Sequence, residues 1–154
     1  MAKGDFVLFA QAKLDLGKKI HDLSTDALKI ALIKSAANGG IDPTELTTDP
    51  RWGAGGGVNL SASEVAAGGN YVAGGVALAA VTYTLTGNTT KLDCSDINIP
   101  MHAANPINAR WGIVYNNTAV GKQAIGFIDL GSDLNLTADA FDYIVNVNGL
   151  YQSV

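Results

Sequence analysis

The sequence predicts a mainly β chain: an antiparallel β-sandwich or jelly-roll-like barrel with an N-terminal helix or extended arm and a long Gly/Pro-rich loop. Three observations lead there. Apolar and polar residues alternate over residues 28–34 and again over 141–147, the pattern of strands with one face against a core. Short β-branched and aromatic runs recur with turn residues between them and no repeating helical segment, which fits antiparallel sheets better than βαβ units. Residues 64–78 set Gly68, Gly69, Gly74 and Gly75 around Tyr71, a pliant backbone that joins two strand edges.

Residues 1–20 form the arm or helix. Residues 6–16 hold good helix formers and Gly17 stands where a C-terminal cap belongs, although the apolar positions keep no steady 3.6-residue period. In 28–34, Leu28, Ile30 and Leu32 share one face while Lys29, Ala31 and Ile33 share the other, so a half-buried strand is expected. Residues 38–60 form the flexible loop. Asp42-Pro43, Asp49-Pro50 and the glycines from Gly53 to Gly57 leave no room there for a regular element of any length. Val76 and Leu78 have one parity and Val81, Tyr83 and Leu85 the other, which predicts a β-bulge at Ala79-Ala80.

Residues 96–102 alternate strictly, and Pro100, which lacks an amide donor, confines them to an edge or a strand end. Residues 110–115, closed by Asn116-Asn117, and residues 123–130 are spaced as an antiparallel hairpin. The last strand spans 141–147, with Phe141, Tyr143, Val145 and Val147 inward, Asp142, Asn146 and Asn148 outward, and Ile144 the exception.

A chain of 154 residues with 47% hydrophobic side chains suits one domain, residues 1–154. Charged residues make up only 16%, a thinly charged surface that fits either of two readings: a small, rather neutral soluble domain, or a subunit that hides much of its exterior in an assembly. The net charge is −4 and the basic residues are scattered apart from Lys18-Lys19, which argues against direct nucleic-acid binding. The apolar stretch 6–10 is too short for a secretory core or a membrane span, so the chain is expected to stay in the cytoplasm where it is made.

No arrangement of reactive side chains satisfies the needs of catalysis. The Gly53–57 run lacks the preceding strand, the following helix and the Gly-Lys-Ser/Thr end of a phosphate loop. His21 and His102 stand alone and are read as solvated loop residues. Cys94, the single cysteine, has no basic neighbour and reads as a small packed hydrophobe. Asp93, Asp96 and Asn98 lack the glycine turn and terminal glutamate of a calcium loop. Asp129, Asp133, Asp139 and Asp142 sit near turns and account for turn formation rather than paired-carboxylate hydrolysis. Trp52 and Tyr71, if exposed, would form a sugar platform; Trp111 lies inside a core strand. The expectation is a non-enzyme without catalytic residues, metal or cofactor. Asn-X-Ser/Thr triplets begin at Asn59, Asn88, Asn116 and Asn135, without consequence in an unsecreted chain.

The order of segments as a whole resembles a family of small head-associated virion proteins of tailed bacteriophages, the decoration or cement proteins. The residues that carry the likeness are the run from Asp22 to Leu32, Glu64-Val65 with the run from Gly69 to Leu78, the run from Ala109 to Asn116, and the run from Gly126 to Gly131. The likeness covers residues 20–149, and its motifs are structural. It implies a capsid-stabilising protein on the outer surface of the shell, at junctions between major capsid subunits. It also implies synthesis in the host cytoplasm, self-association as a dimer or trimer, and no membrane or direct nucleic-acid partner. Residues 38–60 and 1–11 would be loose in free protein and ordered on the shell. Two rival readings are a tail or adaptor component of the virion and a carbohydrate-binding β-sandwich module.

Overall fold

The structure is a computed structural model that describes residues 4–154, so the first three residues of the expected arm lie outside it. In chain order the elements are β1 (Phe6–Leu8), α1 (Ala10–Gly17), β2 (Leu28–Ile33), β3 (Pro50–Arg51), β4 (Val58–Asn59), β5 (Val76–Ala77), β6 (Thr82–Thr86), β7 (Thr89–Asp93), β8 (Ile97–Ile99), β9 (Ala109–Asn116), β10 (Ala124–Leu134), β11 (Phe141–Tyr143) and β12 (Tyr151–Ser153). Short 3-10 turns occupy Ala36–Asn38 and Leu60–Ser63. The fold is mainly β. It comprises a five-stranded sheet in the order β1-β10-β9-β2-β5, a three-stranded sheet β12-β7-β6, the pair β11-β8, and the short parallel pair β3-β4. The three larger assemblies are antiparallel throughout, and among the described residues none closes into a barrel.

The central strands are the ones whose patterns are clearest. β9 and β10 form the expected hairpin, and β2 lies against β9 with Ile30 opposite Val114 and Leu32 opposite Gly112. Because β2 is interior to the sheet and covered on both sides, Ala31 and Ile33 are as buried as Leu28, Ile30 and Leu32, and the half-buried reading gives way to a fully buried strand. Core side chains from this sheet include Ile113, Tyr115, Ile125, Phe127 and Ile128, with Phe127 tilted against Phe9 at 5.1 Å between ring centres.

The N-terminal segment is neither one helix nor one arm. Phe6–Leu8 pairs with β10, with Val7 opposite Phe127, and only after Phe9 does the chain turn into α1. The short helix buries Ala12 and Asp15, three residues apart, which is why no apolar period marks it. Gly17 is its last helical residue; the left-handed conformation that closes the turn falls on Lys19, at φ +60°.

The change of parity near Ala79-Ala80 is not a bulge. β5 pairs with β2 in the large sheet, β6 pairs with β7 in the small one, and Ala80, at φ +50°, lies where the chain passes between them. A register irregularity does occur, in β10 between Asp129 and Leu134, where the Asp129 carboxylate accepts the Gly131 amide at 2.7 Å. β6 and β7 join through Gly87-Asn88, with Gly87 at φ +62° in the first central position, as a type II′ turn requires.

β8 ends before Pro100 and buries Ile97 and Ile99 while exposing Asn98. β11, in contrast, stops at Tyr143. The alternation continues to Val147, but Val147 is 89% exposed, and the Asn146 side chain accepts the Asn148 amide to make a turn that leads into β12.

Three of the four Asn-X-Ser/Thr triplets have a local structural role. Asn59 Oδ1 accepts from the amide and hydroxyl of Ser61, Asn135 Oδ1 accepts from those of Thr137, and Asn116 Oδ1 accepts the amides of Thr118 and Ala119. Each is a side-chain turn in which the asparagine replaces a backbone carbonyl.

Candidate interaction margins

The glycine-rich run is held in place from within. Tyr71 is buried; its hydroxyl donates to Glu64 Oε1 at 2.9 Å and accepts the Leu32 amide at 2.9 Å, so it ties the run to the central strand. Glu64 Oε1 also accepts the Gly74 amide at 2.6 Å, and the Tyr115 hydroxyl donates to the Gly74 carbonyl at 2.7 Å. Burial raises the Tyr71 phenol far above its ordinary range, and burial with the nearby Glu64 pushes Tyr115 up to about 12. Both rings therefore stay neutral at physiological pH and act as hydrogen-bond anchors.

Trp52 completes this cluster. It stacks on Tyr115 with 5.1 Å between ring centres and 12° between planes, and it is only 7% exposed. The sugar platform that Trp52 and Tyr71 would offer if exposed is therefore not present: both rings are inside. Residues 38–60 do contain regular elements, β3 and β4, and the loop is tied down by Trp52, by Leu60, and by the Trp52 amide donating to the Lys122 carbonyl at 2.9 Å. A sequence reading misses this because burial of a loop aromatic depends on contacts distant in the chain.

The histidines divide. His102 is exposed, as expected, and its Nδ1 accepts the Ala104 amide at 3.1 Å. His21 is not solvated: its side chain is fully enclosed beside Asn116, Asp15 and Asp26. The Thr118 and Ala119 amides fix the oxygen of Asn116, so its nitrogen faces His21 Nδ1 at 3.1 Å and also donates to Asp26 Oδ2. On the other side of the ring, Nε2 lies 3.9 Å from Asp15 Oδ2. Neither of these facing atoms has a hydrogen-bond partner.

Burial holds the His21 pKa below 6.5, outweighing the opposing pull of Asp15 and Asp26. In the window from 6.5 down to the depressed folded value, the unfolded chain binds a proton that the folded chain refuses, so stability falls as pH falls through it. We expect the urea midpoint to drop between pH 7 and pH 5 and His21→Gln to flatten that slope; an unchanged slope in the variant would contradict the assignment.

Most of the remaining candidates make local structural contacts. Cys94 is buried, as expected, and burial together with Asp93 and Asp96 pushes its thiol up to about 11. Asp96 accepts the Val145 amide at 2.8 Å, and Asp93 pairs with Lys91 at 2.9 Å. Asp129 pairs with Arg110, Asp133 accepts from Asn38 at 2.7 Å, and Asp142 accepts from Asn98. Trp111 lies in the core strand β9, with the Arg110 guanidinium 4.8 Å from its ring centre. Among the described residues no group of three His, Cys, Asp or Glu side chains is placed to hold a metal ion, and no helix is long and apolar enough to cross a membrane.

The structure leaves open sheet margins. β1 and β5 bound the large sheet, β12 and β6 bound the three-stranded sheet, and β11 and β8 have one partner each. Free strand edges in monomeric proteins are ordinarily blunted by lysine, proline or a covering element. β6, Thr-Tyr-Thr-Leu-Thr, has neither charge nor proline, and Leu85 on it is 68% exposed. β1 and β12, Phe-Val-Leu and Tyr-Gln-Ser, are likewise uncharged. Gly87-Asn88 between two threonine-rich runs is the signal that would have located the β6-β7 hairpin in full; three-residue β12 carries no comparable mark.

No protein-family model matches the chain, and no curated protein or solved structure matches it either.

Proposed function

We propose that this chain is a non-catalytic structural protein of a tailed-phage virion, a decoration or cement protein that binds the outer surface of the shell at junctions between major capsid subunits. The observation that carries the reading is the set of uncharged, unpaired strand margins, β6 foremost, on a chain with only 16% charged residues. Such margins form main-chain hydrogen bonds with a neighbouring subunit and depend little on that neighbour's side chains. The large sheet and the smaller sheets form the two layers of an antiparallel sandwich, and the protein associates as a dimer or trimer. A stable contact of this kind buries roughly 1,200 to 2,000 Å². Repetition of the contact around a symmetry axis resists separation of the capsid subunits, and no covalent chemistry is required.

The test is to add purified protein to shells that lack it and measure the temperature at which the shells release their contents. Binding with a raised release temperature is the expected result; no binding and no thermal gain would reject the cement role.

A further inference from the structure

Three of the open margins meet at one place. β1, β11 and β12, each the end strand of its own sheet, border a groove of about 950 Å³. The strands present consecutive residues to it: Phe6 and Val7 from β1, Phe141 to Tyr143 from β11, Tyr151 and Gln152 from β12. A strand that offers one face to a cavity contributes alternate side chains, and the consecutive residues here fit a groove bordered by strand edges. The Tyr143 hydroxyl, donating to the Gly4 carbonyl at 2.5 Å, joins two of the walls.

The chemistry of the lining defines an occupant. Leu130, Leu134 and Leu150 give it an apolar floor, and Ile144, 70% exposed, stands open at its side. Its charged residues are Asp5, Asp139 and Asp142, all exposed; no lysine, arginine or histidine is among the described residues that line it.

We propose that this groove binds an extended peptide segment of a partner protein in which apolar and basic residues alternate, and that the segment adds a strand to one of the bordering edges. Main-chain hydrogen bonds to a free edge hold the segment, alternate apolar side chains enter the floor, and lysine or arginine side chains on the opposite parity meet the carboxylates. The proposal rests on the docking role argued above and gives that role a specific contact and a partner chemistry.

The test uses the full chain and fluorescein-labelled peptides: Lys-Val-Lys-Val-Lys-Val, Glu-Val-Glu-Val-Glu-Val, and the lysine peptide N-methylated at alternate amides to block strand pairing. Fluorescence anisotropy is expected to show the lysine peptide binding about tenfold or more tighter than the glutamate peptide, more weakly as salt rises, and hardly at all once methylated. Asp5→Asn combined with Asp139→Asn, both exposed positions, is expected to remove most of the preference for lysine. Should that substitution leave the preference intact, Ile144→Lys, which places a cation at the groove's side, provides a second check by weakening the lysine peptide several-fold. Equal binding of the two charge types, retained binding of the methylated peptide, or indifference to both sets of substitutions would overturn the proposal. Shells that still bind protein while no peptide does would overturn the groove and leave the cement role standing. Peptide binding with no affinity for shells would support the groove and reject the cement role.

Discussion

Replacing Gly75 with alanine is expected to destabilise the protein by about 4 kcal/mol or more, a large fraction of the stability of an ordinary domain. Gly75 lies at φ +78° just before β5, where the chain closes against the middle of the large sheet. A Cβ there would lie 2.0 Å from the Ile30 carbonyl oxygen and 2.6 Å from the Ala31 Cα. Both atoms belong to the backbone of a buried central strand, so neither can rotate away. Gly87→Ala supplies the control. Its φ is also positive, +62°, but no atom stands within 4 Å of the added carbon, so only the backbone cost of about 1–2 kcal/mol, which Gly75→Ala shares, remains. Urea unfolding of the two variants should separate them by several kcal/mol; equal midpoints would mean that the glycine run does not press against β2 as described.

Trp52→Ala is expected to cost about 3–5 kcal/mol, the range for emptying a buried aromatic site. The ring fills the space over Tyr115 and lies close to Gly74, so its loss undermines the loop of residues 38–60 and the glycine run together. Trp52→Phe should retain much of the stability because an aromatic ring still covers Tyr115. Thermal unfolding followed by circular dichroism checks both. A Trp52→Ala variant within about 0.5 kcal/mol of the parent, the usual range for an exposed position, would show that the loop is not pinned and would reopen the sugar-platform reading.

Much of the fold was legible because strand periodicity writes burial directly into the chain. β2, β8, β9 and β10 lie where alternation and turn residues place them, and Pro100 ends β8 as a residue without an amide donor must. Alternation could not reveal that β2 is covered on both faces, because Lys29 gives its second face a half-exposed look that only the neighbouring strands resolve. The same limit produced the overlong last strand: Val145 and Val147 keep the pattern of Phe141 and Tyr143, yet the Asn146 turn takes the chain out of the sheet.

The functional surface was less legible. Burial of Tyr71, Tyr115 and Cys94 raises the pKa of each and agrees with a structural use of those residues. His21 and Trp52, however, are buried by partners far along the sequence, Asn116 and Tyr115, and no local signal marks either contact. Open margins are a property of topology. That β1, β11 and β12 are all end strands follows from which segments pair, and their meeting at one groove cannot be read from any of the three alone.

The most direct measurement is a reconstruction of the protein bound to a shell at a resolution that traces backbone. The expected result is strand-to-strand hydrogen bonding between a capsid subunit and at least one of the uncharged margins, with an extended basic segment lying in the groove beside β1, β11 and β12. Attachment solely through side chains of loops remote from every sheet edge, or shells left bare, would contradict it.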